Sequence, residues 1–119
     1  MSIQECYETF GGDYEGVIER LLSSERVAKY CHKFVDADDF SAIKKAMEAG
    51  DYEDCFRVVH NLKGVALNLG LTPLYETLDE LCEALRPSKP AASKDKLDVL
   101  ASEVGKRYDV IVSTLALLD

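Results

Sequence analysis

Tryptophan is absent from this chain, and only three prolines and two histidines occur. No six-residue stretch alternates apolar and polar side chains between turn signals, which excludes sheet architectures. The four Phe and six Tyr are scattered, so there is no aromatic platform on which bases would stack. Long apolar runs are missing too: the longest weakly polar stretch, Val110 to Leu118, is about half of the roughly 20 residues a membrane-spanning helix needs. Glu5, Glu8, Asp13, Glu15, Glu19 and Arg20 interrupt the first thirty residues, so no secretory signal is visible. Positive charge is scarce. Lys+Arg 14 against Asp+Glu 22 leaves a net charge of −8, which repels a phosphate backbone and argues against nucleic-acid binding. These absences predict a cytoplasmic protein with neither a nucleic-acid nor a membrane partner.

Four cysteines are present, Cys6, Cys31, Cys55 and Cys82, without CxxC or CxxxH spacing. Each falls within an apolar helical stripe, so they are expected as small buried hydrophobes rather than zinc ligands or disulfides. The length of 119 residues, 47% of them hydrophobic and 30% charged, fits one domain spanning 1–119 with its own core.

Every strong periodicity is helical. Ser2 with Glu5 resembles a capping box for a short helix ending at Gly11-Gly12. Asp13 caps a second short helix running through Leu22, and Ser23-Ser24 starts a third with the stripe Val27, Ala28, Cys31, Phe34 and Val35. Asp38 or Asp39 opens a helix carrying Phe40, Ile43, Ala46 and Met47, which stops at Gly50. Asp51 is the expected N-cap of a long helix to Asn68 or Leu69, with Gly70 as left-handed terminator. Thr72 and Pro73 read as N-cap and first position of a helix repeating Leu74, Leu78, Leu81, Cys82 and Leu85. Arg86 to Ser93 is the one evident loop, and a last helix runs from Lys94 to about Leu118. The expected fold is all-α: an antiparallel four-helix bundle with short additional N-terminal helices.

On a wheel of about 100° per residue centred on His60, Cys55, Val58, Val59, Leu62, Val65, Ala66 and Leu69 occupy an arc of roughly 140° to 260°. His60 therefore faces away from the core. Phe56, Arg57, Lys63, Gly64 and Leu67 lie within about 60° of it; the two large apolar residues among them either pack under another segment or surround the histidine as a docking patch. A glycine inside a helix costs roughly 1 kcal/mol relative to Ala, and Gly64 gains nothing toward the core. Close approach of a partner to the imidazole explains it. Lys63, one turn from His60, is placed to neutralise an anion on the ring. Imidazole nitrogen is both a nucleophile and a leaving group toward phosphorus, which suggests a phosphoryl carrier. Nothing else a catalyst needs is present: no GxxxxGK[ST], GxGxxG or HExxH motif and no second group to orient His60. His32, between Lys29 and Lys33, reads as surface, and Asp36 to Asp39 as a turn rather than a metal site.

The segment His60-Asn61-Leu62-Lys63-Gly64-Val65-Ala66-Leu67-Asn68-Leu69-Gly70 resembles the signature of histidine-containing phosphotransfer domains, H-x-L-K-G followed by N-L-G. The likeness covers about Gly50 to Arg86. It implies a four-helix bundle in which His60 accepts the phosphoryl group, Lys63 stabilises it and Gly64 gives access, with Phe56, Arg57, Leu67 and Asn68 meeting the partner. The implied partner is the receiver domain of a response regulator or hybrid kinase. The chain would be no enzyme, holding no cofactor or metal of its own, with Mg²⁺ on the receiver. Leu67 stands where the family often has a small residue, and Asn61 where Thr is frequent. A monomer is expected. The competing reading is a non-catalytic helical adaptor that binds a protein through the Phe56/Leu67 face.

Overall fold

Helix starts in this chain are marked by side chains that satisfy the first free backbone N–H groups. In a computed structural model, which describes residues 1–87 and 92–119, seven helices are found among the described residues. They are α1 (Ile3–Phe10), α2 (Tyr14–Leu21), α3 (Ser24–Ala37), α4 (Asp39–Ala49), α5 (Tyr52–Asn68), α6 (Thr72–Leu85) and α7 (Lys94–Leu115). The capping box forms as expected: the Glu5 N–H donates to Ser2 Oγ at 3.1 Å and the Ser2 N–H to Glu5 Oε1 at 3.0 Å. Asp13, Ser23 and Asp51 each accept from the backbone N–H three residues on.

Two boundaries differ from the sequence reading, and a third agrees with it. Thr72 is the first residue of α6 rather than its cap; Leu71 holds that position, and the Thr72 hydroxyl turns back to the Gly70 carbonyl at 3.5 Å. The start of α4 agrees: Asp38 is its N-cap and Asp39 its first residue, with Asp38 left-handed (φ +48°) and making no side-chain cap, so α3 and α4 meet at a single sharp residue. α7 stops at Leu115 and the chain turns at Ala116, short of Leu118. Of the expected loop Arg86 to Ser93, residues 88–91 lie outside the described residues; Arg86, Pro87, Ala92 and Ser93 are non-helical.

Helices α4, α5, α6 and α7 form the antiparallel bundle, with α4 also touching α7 to close it. The core is continuous: Ile43, Cys55, Val59, Leu62, Leu74, Leu78, Leu81, Val104 and Ile111 are each no more than 1% exposed. All four cysteines are buried, and burial raises the Cys55 thiol to about 11. Burying one such aliphatic side chain contributes roughly 1.5–3 kcal/mol, so this interior fixes the orientation of α5.

The N-terminal helices fasten the turn between α5 and α6. The Asp13 N–H donates to the Gly70 carbonyl at 2.8 Å, and the buried Tyr7 hydroxyl donates to the Leu69 carbonyl at 2.6 Å. Gly70 has φ +65°, and a Cβ there would lie 2.7 Å from the Asp13 carbonyl oxygen. No larger residue fits. Arg20 of α2 adds bonds from its guanidinium to the carbonyls of Asn68 and Leu67 at 3.1 and 3.3 Å, satisfying the last turn of α5.

Candidate functional site

α5 carries its apolar stripe, Cys55, Val59, Leu62 and Ala66, into the bundle and leaves His60 on the opposite, exposed side. No hydrogen bond or ion pair to the imidazole forms among the described residues. Phe56, one turn earlier, stacks its ring on the imidazole at a centroid distance of 6.0 Å and an interplanar angle of 17°. The Arg86 guanidinium covers the Phe56 ring at 5.7 Å from its centroid and pairs with Glu83 at 2.7 Å. A cation, a phenyl ring and the imidazole thus form a row, which supports one side of the ring and leaves its nitrogens open to solvent.

Gly64, one turn past His60, faces open space: a Cβ built there meets nothing within 4 Å. Leu67, the next residue along this face, is 55% exposed. Asn61 and Asn68 are exposed as well. Arg57 is exposed but engaged, its guanidinium bonded to the Asp54 carboxylate. An open groove of about 530 Å³ runs beside His60, lined by Asp51, Asp54, Phe56, Arg57 and Pro87 among others.

Two sequence expectations need correction. Val65 was expected in the core, yet it is 37% exposed. It lies at the edge of the apolar arc, where it lines a second groove of about 520 Å³ with Leu21, Tyr30 and Phe34 instead of meeting the bundle interior. Lys63 was expected to be exposed. Its side chain is only 17% exposed, because it leans across the α5–α6 groove and pairs with Asp79 Oδ1 at 3.2 Å. Burial pulls the ammonium pKa down, but the Asp79 hydrogen bond together with the nearby Cys82, Asp79 and Tyr75 outweighs this, leaving it above the usual lysine value. Phe56 is intermediate as well: it packs partly against the core while stacking on His60.

The structure therefore gathers His60, Phe56, Gly64 and Leu67 on one outward face, with Lys63 on the flank toward α6 and Asn68 near the end of the helix. Sequence reasoning missed Asp79 and the Arg86–Phe56 contact. A signal for Asp79 existed: in a hairpin folded at Gly70, positions 63 and 79 stand at similar distances from the turn, seven and nine residues.

Chemically, the arrangement offers an exposed imidazole beside a stacked phenyl ring, with no base hydrogen-bonded to it among the described residues. Such a group accepts or surrenders a substituent in a site completed by another molecule. Among the described residues, no cluster of His, Cys, Asp and Glu is arranged to hold a metal, and no helix is long and apolar enough to cross a membrane.

Comparison with curated proteins gives no match, and comparison with solved structures gives none either. A family model does match: that of the Hpt domain, over residues 36–109, which takes in α4, α5, α6 and most of α7. An exposed histidine on a bundle helix is what a histidine-phosphotransfer role in a phosphorelay requires, and receiver domains are the kind of partner such domains meet. With more than half of its length matched, and with the all-helical bundle that the match calls for, the chain belongs to the Hpt domain family.

Proposed function

We propose that residues 1–119 act as one phosphoryl carrier, in which His60 receives the group from, and returns it to, an aspartate on the receiver domain of a response regulator or hybrid kinase. A single observation carries this reading: His60 is exposed on α5 with bare helix surface at Gly64 one turn away. In the forward step, the lone pair of a ring nitrogen on neutral His60 attacks the phosphorus of the aspartyl phosphate. The N–P bond forms, the P–O bond to the aspartate breaks, and the carboxylate leaves with the electron pair. The proton on the other ring nitrogen stays, so the charged product has a cationic ring beside the dianion. The return step reverses these bonds.

Each neighbour has a part on this reading. Phe56 holds the ring plane, Gly64 admits the receiver's loops, and Leu67 with Arg57 and Asn68 meets the partner surface. Lys63 supplies positive charge to the phosphoryl oxygens. The Mg²⁺ and most of the transition-state stabilisation belong to the receiver, so the chain is a carrier rather than an enzyme and needs no cofactor of its own. It works in the cytoplasm as a monomer, through a small and short-lived interface.

Incubation with a ³²P-labelled phospho-receiver tests this. The expected result is acid-labile, alkali-stable phosphate on the chain, lost entirely in His60→Gln. Label that persists in His60→Gln overturns the assignment. Partner binding that survives His60→Ala while no label ever forms would instead establish an adaptor that uses the Phe56/Leu67 face.

A further inference from the structure

Lys63, three residues past His60, is not idle. Lys63 Nζ reaches Asp79 Oδ1 on α6 at 3.2 Å; the lysine side chain is 17% exposed and the aspartate 47%. A carboxylate in that position has two effects on an anion arriving at His60. It occupies a donor of the ammonium, and its own charge opposes that of the phosphoryl dianion. Both effects act in one direction, against charged His60.

Resting on the reading that His60 carries phosphate, we propose that Asp79 is a positioning residue that holds Lys63 in the α5–α6 groove and competes with the phosphoryl group for it. The pair sets how firmly the carrier keeps its cargo. With Asp79 present, Lys63 is shared and the phosphoryl group leaves readily; without the carboxylate, the ammonium serves the phosphoryl oxygens alone. A carrier that must both accept and release needs this balance, because a fully committed lysine would turn charged His60 into a sink.

The test uses the full chain and phosphoramidate, which needs no partner. A ring nitrogen of neutral His60 attacks its phosphorus, the donor's P–N bond breaks, and ammonia leaves with the electron pair. All proteins carry His32→Gln, which removes the only other histidine. After the donor is removed, the lifetime of phosphohistidine is followed by ³¹P NMR. Asp79→Asn is expected to lengthen it about threefold, the size of a partly screened ion pair. Asp79→Glu restores the original lifetime, and Lys63→Ala abolishes the effect of Asp79→Asn. A purely structural role for Asp79 would not give this dependence on charge and on Lys63.

An unchanged or shortened lifetime in Asp79→Asn overturns the proposal, as does a lengthening that persists with Lys63→Ala. In either case a phosphorylated starting protein leaves the carrier reading standing. A chain that takes up no phosphate on His60 overturns both.

Discussion

Gly64 and Gly70 stand six residues apart on one segment, and their surroundings are opposite. At Gly70 the backbone has φ +65° and an added Cβ would strike the Asp13 carbonyl oxygen at 2.7 Å. At Gly64 the backbone is ordinary helix and an added Cβ would touch nothing within 4 Å. The same residue type answers two different demands. Gly70 is required by the fold, because the N-terminal helices lie directly on the α5–α6 turn. Gly64 is not required by the fold at all. It lowers helix stability, and on the proposed function it is kept because a partner needs bare helix surface beside His60.

The sharpest way to break this contrast is Gly70→Ala, which should destabilise the protein by roughly 2–4 kcal/mol, since it combines left-handed strain with a backbone clash. A thermal melt measures it, and a near-neutral result would mean that α1 and α2 do not clasp the turn. Gly64→Leu should behave in the reverse manner. The helix gains about 0.5–1 kcal/mol, while phosphoryl transfer from a receiver falls about tenfold or more, the loss of roughly 1.4 kcal/mol of docking. Unchanged transfer in a more stable protein would remove the access explanation.

Tyr7→Phe probes the crowded region more gently. It deletes the hydroxyl that donates to the Leu69 carbonyl and should cost about 1 kcal/mol. It should also flatten the alkaline limb of the stability curve. Burial and the neighbouring Cys31 raise the Tyr7 phenol above its ordinary value of 10.0. Its stabilising contribution is therefore complete below about pH 10 and declines as pH rises further, because the unfolded chain ionises first. Denaturant midpoints from pH 8 to pH 11 would reveal the difference between the two proteins. The smallest expected change belongs to the open face: Leu67→Ala, at a residue 55% exposed, should alter stability by no more than about 0.5 kcal/mol while weakening receiver binding. A large drop in melting temperature would show that Leu67 packs against the fold.

Much of this contrast is legible in the chain before any coordinates. Ser2 with Glu5, Asp13, Ser23 and Asp51 announce helix starts because capping chemistry is local and depends on only a few neighbouring residues. His60 reads as outward because its own helix supplies an apolar arc on the other side. The failures lie where a second element decides. Val65 sits at the border of that arc, and a wheel does not say whether a neighbouring helix covers the border; here a groove does. Lys63 lies on the same flank as α6, so its burial and its Asp79 partner depend on how the hairpin closes. Thr72 carries a suitable capping side chain, but the Gly70 carbonyl attracts its hydroxyl instead, and Leu71 becomes the cap by position. The attachment of α1 and α2 to the far turn has no sequence periodicity to reveal it, since it rests on the Tyr7 phenol meeting the Leu69 carbonyl and the Asp13 N–H meeting the Gly70 carbonyl.

That attachment has a kinetic consequence. With Asp13, Tyr7 and Arg20 pinning its C-terminal end, α5 presents His60 from a rod that is already stiff. A visiting protein has little backbone motion to quench when it lands, so the encounter avoids an ordering cost that slows and weakens many associations. Collisions can become productive quickly, because the surface around His60 is already in place when the partner arrives.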